Sequence, residues 1–279
     1  MLAVFLSAPA MAGDQDKTIA AKANQFRLAA SVDDDETVKT LLNEGLSVNT
    51  GNKFGKTALM MAVENGNEAT VSLLLQRGAN INAKTVAGCT ALTFAAENYQ
   101  PTIMKLLLEK KADPHARTRA GWNSLMIASR NNFHDIIDML VAHGAAPKAT
   151  DRHGRTALMM AAMRGYTKIS KKLVAAGADI NARDKSGATP LILTISEGYP
   201  VDTATMLELG ANPDIQDEEG VSALMEAARI GSQPAVSALL KHHANPGLKD
   251  KHGKQARDFA LKKGHAQIVS LLDKTGKIK

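Results

Sequence analysis

DRHGRTALMMAAMRGYTKISKKLVAAGADINA, residues 151–182, reads as one complete structural unit. Thr156 can cap a helix, because its side-chain oxygen accepts from an otherwise orphaned helix N–H. The helix runs through Leu158-Met159-Met160-Ala161-Ala162 and is broken at Gly165. A second helix covers Ile169 to Ala175, with Leu173 and Val174 on one face. Gly177 ends it in the left-handed conformation that glycine reaches without strain. Ala178 to Ala182 is then extended and leads to a turn. At Asp184 the chain begins again with DKSGATPLILTISEGY.

The restart is periodic. Glycines stand at 55, 88, 121, 154, 187, 220 and 253, a constant step of 33 residues. Gly45, Gly78, Gly144, Gly177 and Gly210 form a second ladder at the same step, with Lys111 and His243 on its two missing rungs. A third holds Phe26, Leu59, Leu92, Leu125, Leu158, Leu191 and Leu224; a fourth holds Ala29, Ala62, Ala95, Ala128, Ala161, Thr194, Ala227 and Ala260. Thr57, Thr90, Asn123, Thr156, Thr189 and Ser222 each follow a ladder glycine by two positions, and all are good N-caps. Alanine on the inner rung lets neighbouring helices approach closely. A supersecondary unit of this length cannot bury its apolar face alone, so stacking must do it.

The pattern Asp151-x-x-Gly154-x-Thr156-Ala157-Leu158, Ala161-Ala162, Gly165, Gly177-Ala178-Asp179-Ile180-Asn181-Ala182 resembles the ankyrin repeat. The resemblance extends from about Asn24 to Leu272 and implies an all-α, ankyrin-repeat solenoid of about eight helix-turn-helix units joined by β-hairpin-like turns. The units fall near 25–51, 52–84, 85–117, 118–150, 151–183, 184–216, 217–249 and 250–279. The first lacks the opening turn. In the last, Arg257 and Asp258 put charge where a following unit would pack, which marks it as a cap. The family's T-P-L-H histidine is replaced throughout, by Met60, Thr93, Met126, Met159, Ile192, Met225 and Asp258. Contacts between units should therefore be more purely apolar than in the family. Tyr99, with Pro101 close behind, should reshape the loop between its two helices, and Asn132 replaces the same glycine. Lys111 and His243 sit where a left-handed residue is expected, at about 1–2 kcal/mol each, so the third and seventh units should be the softest interior ones.

The 279-residue chain is 44% hydrophobic and 22% charged, the composition of a folded protein rather than a disordered one, and it has only 4% aromatic residues. No apolar run is long enough to span a bilayer. A formal charge of +6 permits an acidic partner without requiring nucleic acid. Residues 1–12, MLAVFLSAPAMA, hold an apolar stretch and then Ala10-Met11-Ala12, the small-residue pattern of a signal-peptidase site, but no basic residue precedes the stretch. Two readings stand: a signal peptide cut after Ala12, giving a periplasmic or secreted chain with a linker over 13–24, or an apolar tail on a cytoplasmic one. We carry the first forward.

Chemistry is sparse. A single cysteine, Cys89, allows neither an internal disulfide nor a thiolate metal cluster. The eight histidines show no H-x-x-x-H or H-E-x-x-H spacing. Met60-Met61, Met126, Met159-Met160, Met163 and Met225 could offer thioethers to Cu(I), but their repeat-locked helical spacing marks them as gap-fillers in a core. No nucleotide-binding or nucleophile motif occurs. The expectation is no metal, no cofactor and no catalytic residue.

The resemblance implies a concave face of turn tips and first helices whose free positions carry specificity. Those positions give Phe54 in the second unit, Arg119, Trp122 and Arg130 in the fourth, and Arg152, His153, Arg155 and Arg164 in the fifth. Trp and Arg dominate interface energetics, so these residues are the candidate partner site, with Trp122 its anchor. The plainer alternative has Trp122 lying over its own Arg119 or a neighbouring turn. The turn Asp214 to Glu219 is acidic and would repel phosphate. The expected function is a non-enzymatic protein-protein scaffold or adaptor, monomeric, with a partner bearing an acidic patch. A host-directed effector, or a basic-surface nucleic-acid binder, is the alternative.

Overall fold

The cap residues, the glycine stops and the apolar ladders set where the helices begin and end. The computed structural model describes residues 10–275, with side chains from 17 to 274. Most of the expected signal peptide, residues 1–9, lies outside them. Helix α1 is Ala10–Ser31 and α2 Asp35–Asn43. Pairs follow: α3 (Ala58–Asn65) with α4 (Glu68–Gln76), α5 (Ala91–Glu97) with α6 (Pro101–Glu109), and α7 (Ser124–Arg130) with α8 (His134–Ala142). Then come α9 (Ala157–Ala162) with α10 (Thr167–Ala175), α11 (Pro190–Ser196) with α12 (Pro200–Glu208), α13 (Ala223–Ile230) with α14 (Gln233–Lys241), and α15 (Ala256–Lys263) with α16 (Ala266–Thr275). First helices from α3 onward, and second helices from α2 onward, each start 33 residues after the last. Residues 13–24, expected as a linker, are helical and belong to α1. The hairpin-like character of the connections survives as two isolated antiparallel bridges, Thr150 with Thr156 and Gln216 with Ser222.

Internal contacts divide the chain into two units, the first ending at Arg119 and the second beginning at Ala120. In the first, α1 packs on α3 and α3 on α5. Their shared core holds Phe26, Leu59 and Leu92, all essentially inaccessible, with Ala62 and Ala95 between them. In the second, α7, α9, α11, α13 and α15 stack in chain order. Leu125, Leu158, Leu191 and Leu224 are buried there, beside Ala128, Ala161, Ala227 and Ala260. Each leucine removed from water contributes about 2 kcal/mol. On the last helix pair Arg257 is exposed and pairs with Asp273 at 2.6 Å, a polar outer face of the kind a terminal repeat needs.

All six anticipated N-caps form: the side chains of Thr57, Thr90, Asn123, Thr156, Thr189 and Ser222 accept from the amides of Met60, Thr93, Met126, Met159, Ile192 and Met225. The rung of the missing family histidine takes part in capping within its own repeat. The Met60, Met159 and Met225 sulfurs accept from the Thr57, Thr156 and Ser222 amides at 3.4–3.5 Å, and Thr93 Oγ1 accepts from the Thr90 amide at 2.8 Å. A thioether is a weak acceptor but reaches the orphan amide from the same rung.

The loop at Tyr99 is also not reshaped. Tyr99 itself takes the left-handed conformation, φ 51°, as does Asn132 at 64°. Pro101 fits because it occupies the first turn of α6, where its missing N–H would be unpaired in any case. Lys111 (φ 67°) and His243 (φ 61°) likewise adopt glycine's conformation. Replacing either with glycine should stabilise the protein by about 1 kcal/mol in urea unfolding. Amide exchange should be faster around both positions than at Gly144 and Gly210; the reverse order would remove the softness assigned to these repeats.

Candidate functional site

The turn tips are fixed from below. Asp151 Oδ1 accepts from the amides of His153 (2.8 Å) and Arg155 (2.9 Å). Asp184, Asp217 and Asp250 make the same pair of bonds in their own turns, and Asn52 does so for Phe54 and Lys56. Short acceptor side chains that bond two and four residues ahead hold a tight turn. Successive tips are then joined by one backbone bond each. In the second unit these are Arg152 N to Ala120 O (3.0 Å), Lys185 N to His153 O (2.8 Å), Glu218 N to Ser186 O (2.8 Å) and Lys251 N to Glu219 O (3.0 Å). In the first, Val86 N donates to Phe54 O (2.8 Å) and Arg119 N to Ala87 O (2.7 Å). The tip side chains are thus presented at regular intervals on a braced row.

A second set of bonds ties the extended segments. Asn49 accepts from the Asn80 amide and Asn82 from that of Asp113; in the second unit Asn181 accepts from Asn212 and Asp214 from Asn245, all at 2.7–2.9 Å. The terminal Asn of the repeat, visible in the sequence only as a recurring letter, is therefore a staple between repeats.

The structure sorts the expected site residues into four groups. Trp122 is half-buried and the Arg130 guanidinium lies 4.8 Å from its ring centroid. Its stacking partner is thus Arg130, at the far end of α7. A cation over an indole face contributes about 0.5–1 kcal/mol where water reaches it. Arg152, His153 and Arg164 are exposed, and among the described residues no carboxylate pairs with Arg152 or Arg164. Arg155 differs: its Nε and Nη2 sit 3.1 and 3.0 Å from Asp151 Oδ2. Burial works to raise the Asp151 pKa, but the Arg155 and His153 amides and the Arg155 guanidinium outweigh it, and the carboxyl stays below its ordinary value. Arg155 therefore braces its turn. Phe54 and Arg119 belong to the first unit, where both are exposed.

The acidic turn at Asp214–Glu219 is less free than its composition implies. Asp214 and Asp217 accept backbone amides, Glu218 lies 3.6 Å from Arg183, and Glu219 lies 3.8 Å from Lys251. Two buried carboxyls escaped the sequence reading. Glu226 stands on a rung otherwise held by Met61, Phe94, Ile127, Met160 and Leu193. Burial works to raise its pKa, but the Arg229 guanidinium and the Ser196 hydroxyl, 2.7 Å away, hold it down. Asp202 stands on a rung held by Ile103, Ile136, Ile169 and Ile268, with Thr37, Thr70 and Ala235 on its other positions. A lone charge in an uncharged ladder was the signal available for both. Among the described residues no group of three or more His, Cys, Asp or Glu side chains gathers as a metal would require, and no helix is long and apolar enough to cross a membrane.

Stacked helix pairs with a braced row of exposed tip side chains define a repeat-type protein-interaction module. The family described as ankyrin repeats (3 copies) matches residues 26–118, 95–184, 125–215 and 191–278. The chain belongs to the ankyrin-repeat family. It is similar to the crystal structure of the ankyrin repeat domain of Bcl-3, described as a unique member of the IkappaB protein family. The TM-score is 0.71 at 28% identity, covering 78% of this chain and all of that one. No curated protein sequence matches the chain.

Proposed function

We propose that this protein is a non-enzymatic, monomeric scaffold that holds an acidic segment of a partner protein against the tips and first helices around Trp122. The observation that carries the reading is the Trp122–Arg130 stack, flanked by the exposed arginines Arg152 and Arg164. A half-buried indole already held flat by a cation is a low-entropy anchor, and arginines without a carboxylate partner can pair with one brought in. The likeness to the Bcl-3 ankyrin domain supports a binding role rather than catalysis.

Trp122 is the single tryptophan, so its emission reports on the anchor directly. A bound partner should shift that emission, and Trp122→Ala should weaken binding by about tenfold or more. The affinity should fall only modestly with added salt, whereas a slope worth several phosphates would mark a nucleic-acid binder instead. Unchanged affinity in Trp122→Ala ends the proposal. The apolar stretch and Ala10-Met11-Ala12 support a reading in which the protein is exported: the purified native protein should begin at Gly13, and a native chain that retains residues 1–12 would return it to an intracellular adaptor.

A further inference from the structure

In the first unit, α1 and the tip that follows it enclose an open cleft of about 570 Å³. That volume suits a ligand of several residues. Ile19, Ala23, Asn24 and Arg27 form one wall, all from one face of α1; Lys53 and Phe54 form the other. Ile19 and Phe54 are 56% and 59% exposed, so two large apolar groups stand open across the cleft from each other. Among the described residues no acidic side chain lines it.

Arg27 is the unexplained residue. It is only 8% exposed, its Nη1 is buried without a hydrogen-bond partner, and among the described residues no carboxylate pairs with it. It occupies the rung filled elsewhere by Met60, Thr93, Met126, Met159, Ile192, Met225 and Asp258. On that rung Met60, Thr93, Met159, Met225 and Asp258 accept the amide of an N-cap residue. Arg27 cannot accept, and it lies within the continuous helix α1, where no cap is needed. It therefore does none of the structural work of its rung. Burial lowers its pKa, the signature of a charge held at a desolvation cost. A guanidinium with one N–H buried and unpaired is unfavourable until an acceptor meets it. Lys53, whose ammonium lies 5.1 Å from the Phe54 ring centroid, adds a second positive charge at the rim.

We propose that this cleft recognises an acidic, apolar peptide segment of a partner protein. Its Asp or Glu carboxylate pairs with Arg27, and a neighbouring aliphatic or aromatic side chain lies between Ile19 and Phe54. Charge complementarity selects the carboxylate, since the described lining offers two cations and no anion. The openness of the cleft suits a chain passing across it rather than an enclosed small molecule. The site shares no residue with the Trp122 surface and stands or falls without it.

The test is a titration of the full chain with acetyl-Leu-Asp-Phe-amide and, separately, acetyl-Leu-Asn-Phe-amide, followed by the NMR signals of the Arg27 Nε–H, the Ile19 methyls and the Trp122 indole N–H. The Asp peptide should move the Arg27 and Ile19 signals to saturation and bind about tenfold tighter than the Asn peptide, as loss of a charge-assisted pair requires. Arg27→Gln should remove that preference. Phe54→Ala, at a largely exposed site, should weaken both peptides alike. Equal affinity for the two peptides, no saturation by about 10 mM, or shifts confined to the Trp122 indole would each overturn the assignment. The last result would leave the Trp122 proposal standing.

Discussion

As the pH falls from about 7 to about 4, the helix pair α11–α12 gains stability, and Asp202→Asn abolishes the gain. Asp202 is 1% exposed, and neither carboxylate oxygen has a hydrogen-bond partner. The hydroxyls of Thr167, Ser170 and Thr194 lie near it, but Thr194 donates instead to Pro190 O at 2.8 Å. Desolvation outweighs what these hydroxyls return and pushes the pKa from 3.8 up to about 6. A folded-state pKa raised above the unfolded value means that the stabilisation is complete below 3.8 and is lost as the pH rises through about 6. A shift of that size is worth about 3 kcal/mol. Asp151 and Glu226, both held below their ordinary values, contribute in the opposite sense and lose stabilisation on acidification. The total stability therefore mixes signs, and the wild type must be compared with Asp202→Asn. The readout is the amide protection factor along α12 at several pH values. Parallel profiles for the two proteins would rule out a buried, neutralised Asp202.

Gly187→Ala should be among the most damaging of the glycine substitutions, and Gly177→Ala among the mildest, although both residues have positive φ. At Gly177 (φ 92°) an added Cβ would meet nothing within 4 Å, leaving only the conformational strain of about 1–2 kcal/mol. At Gly187 (φ 80°) the Cβ would lie 2.7 Å from the Glu218 amide nitrogen and 3.0 Å from the Asp217 carbonyl carbon. Those atoms belong to the next tip, which is held there by the Glu218 N to Ser186 O bond. Backbone cannot rotate aside as a side chain can, so the tips must separate. The combined cost should exceed about 3 kcal/mol in urea unfolding. Similar costs for the two variants would mean that the tips are not braced against one another.

The period, caps and ladders were legible because each rung repeats one local problem: an orphan helix amide, a left-handed stop, a close helix approach. The sequence showed that Asp151 and Asn181 recur, but not that one braces a turn and the other staples the next repeat, because those bonds depend on backbone geometry. Trp122 was identifiable by its chemistry, yet its partner Arg130 is one helix away in sequence and only the fold brings the two together. Arg155 has the chemistry of a free binder, and only the turn geometry brings its guanidinium onto Asp151. Arg27, Asp202 and Glu226 went unread for a common reason. Each is a polar residue on a rung that elsewhere carries another chemistry, and burial cannot be judged from one letter.

The central claim is that the exposed tip and first-helix residues around Trp122 hold a protein partner. The most direct measurement is quantitative capture from the native source on three immobilised chains: wild type, Trp122→Ala with Arg152→Ala, and Lys172→Ala as a control on the second-helix side. The account predicts that at least one protein captured by the wild type and by the control falls about tenfold or more on the double variant. Identical captured sets on all three chains would contradict it.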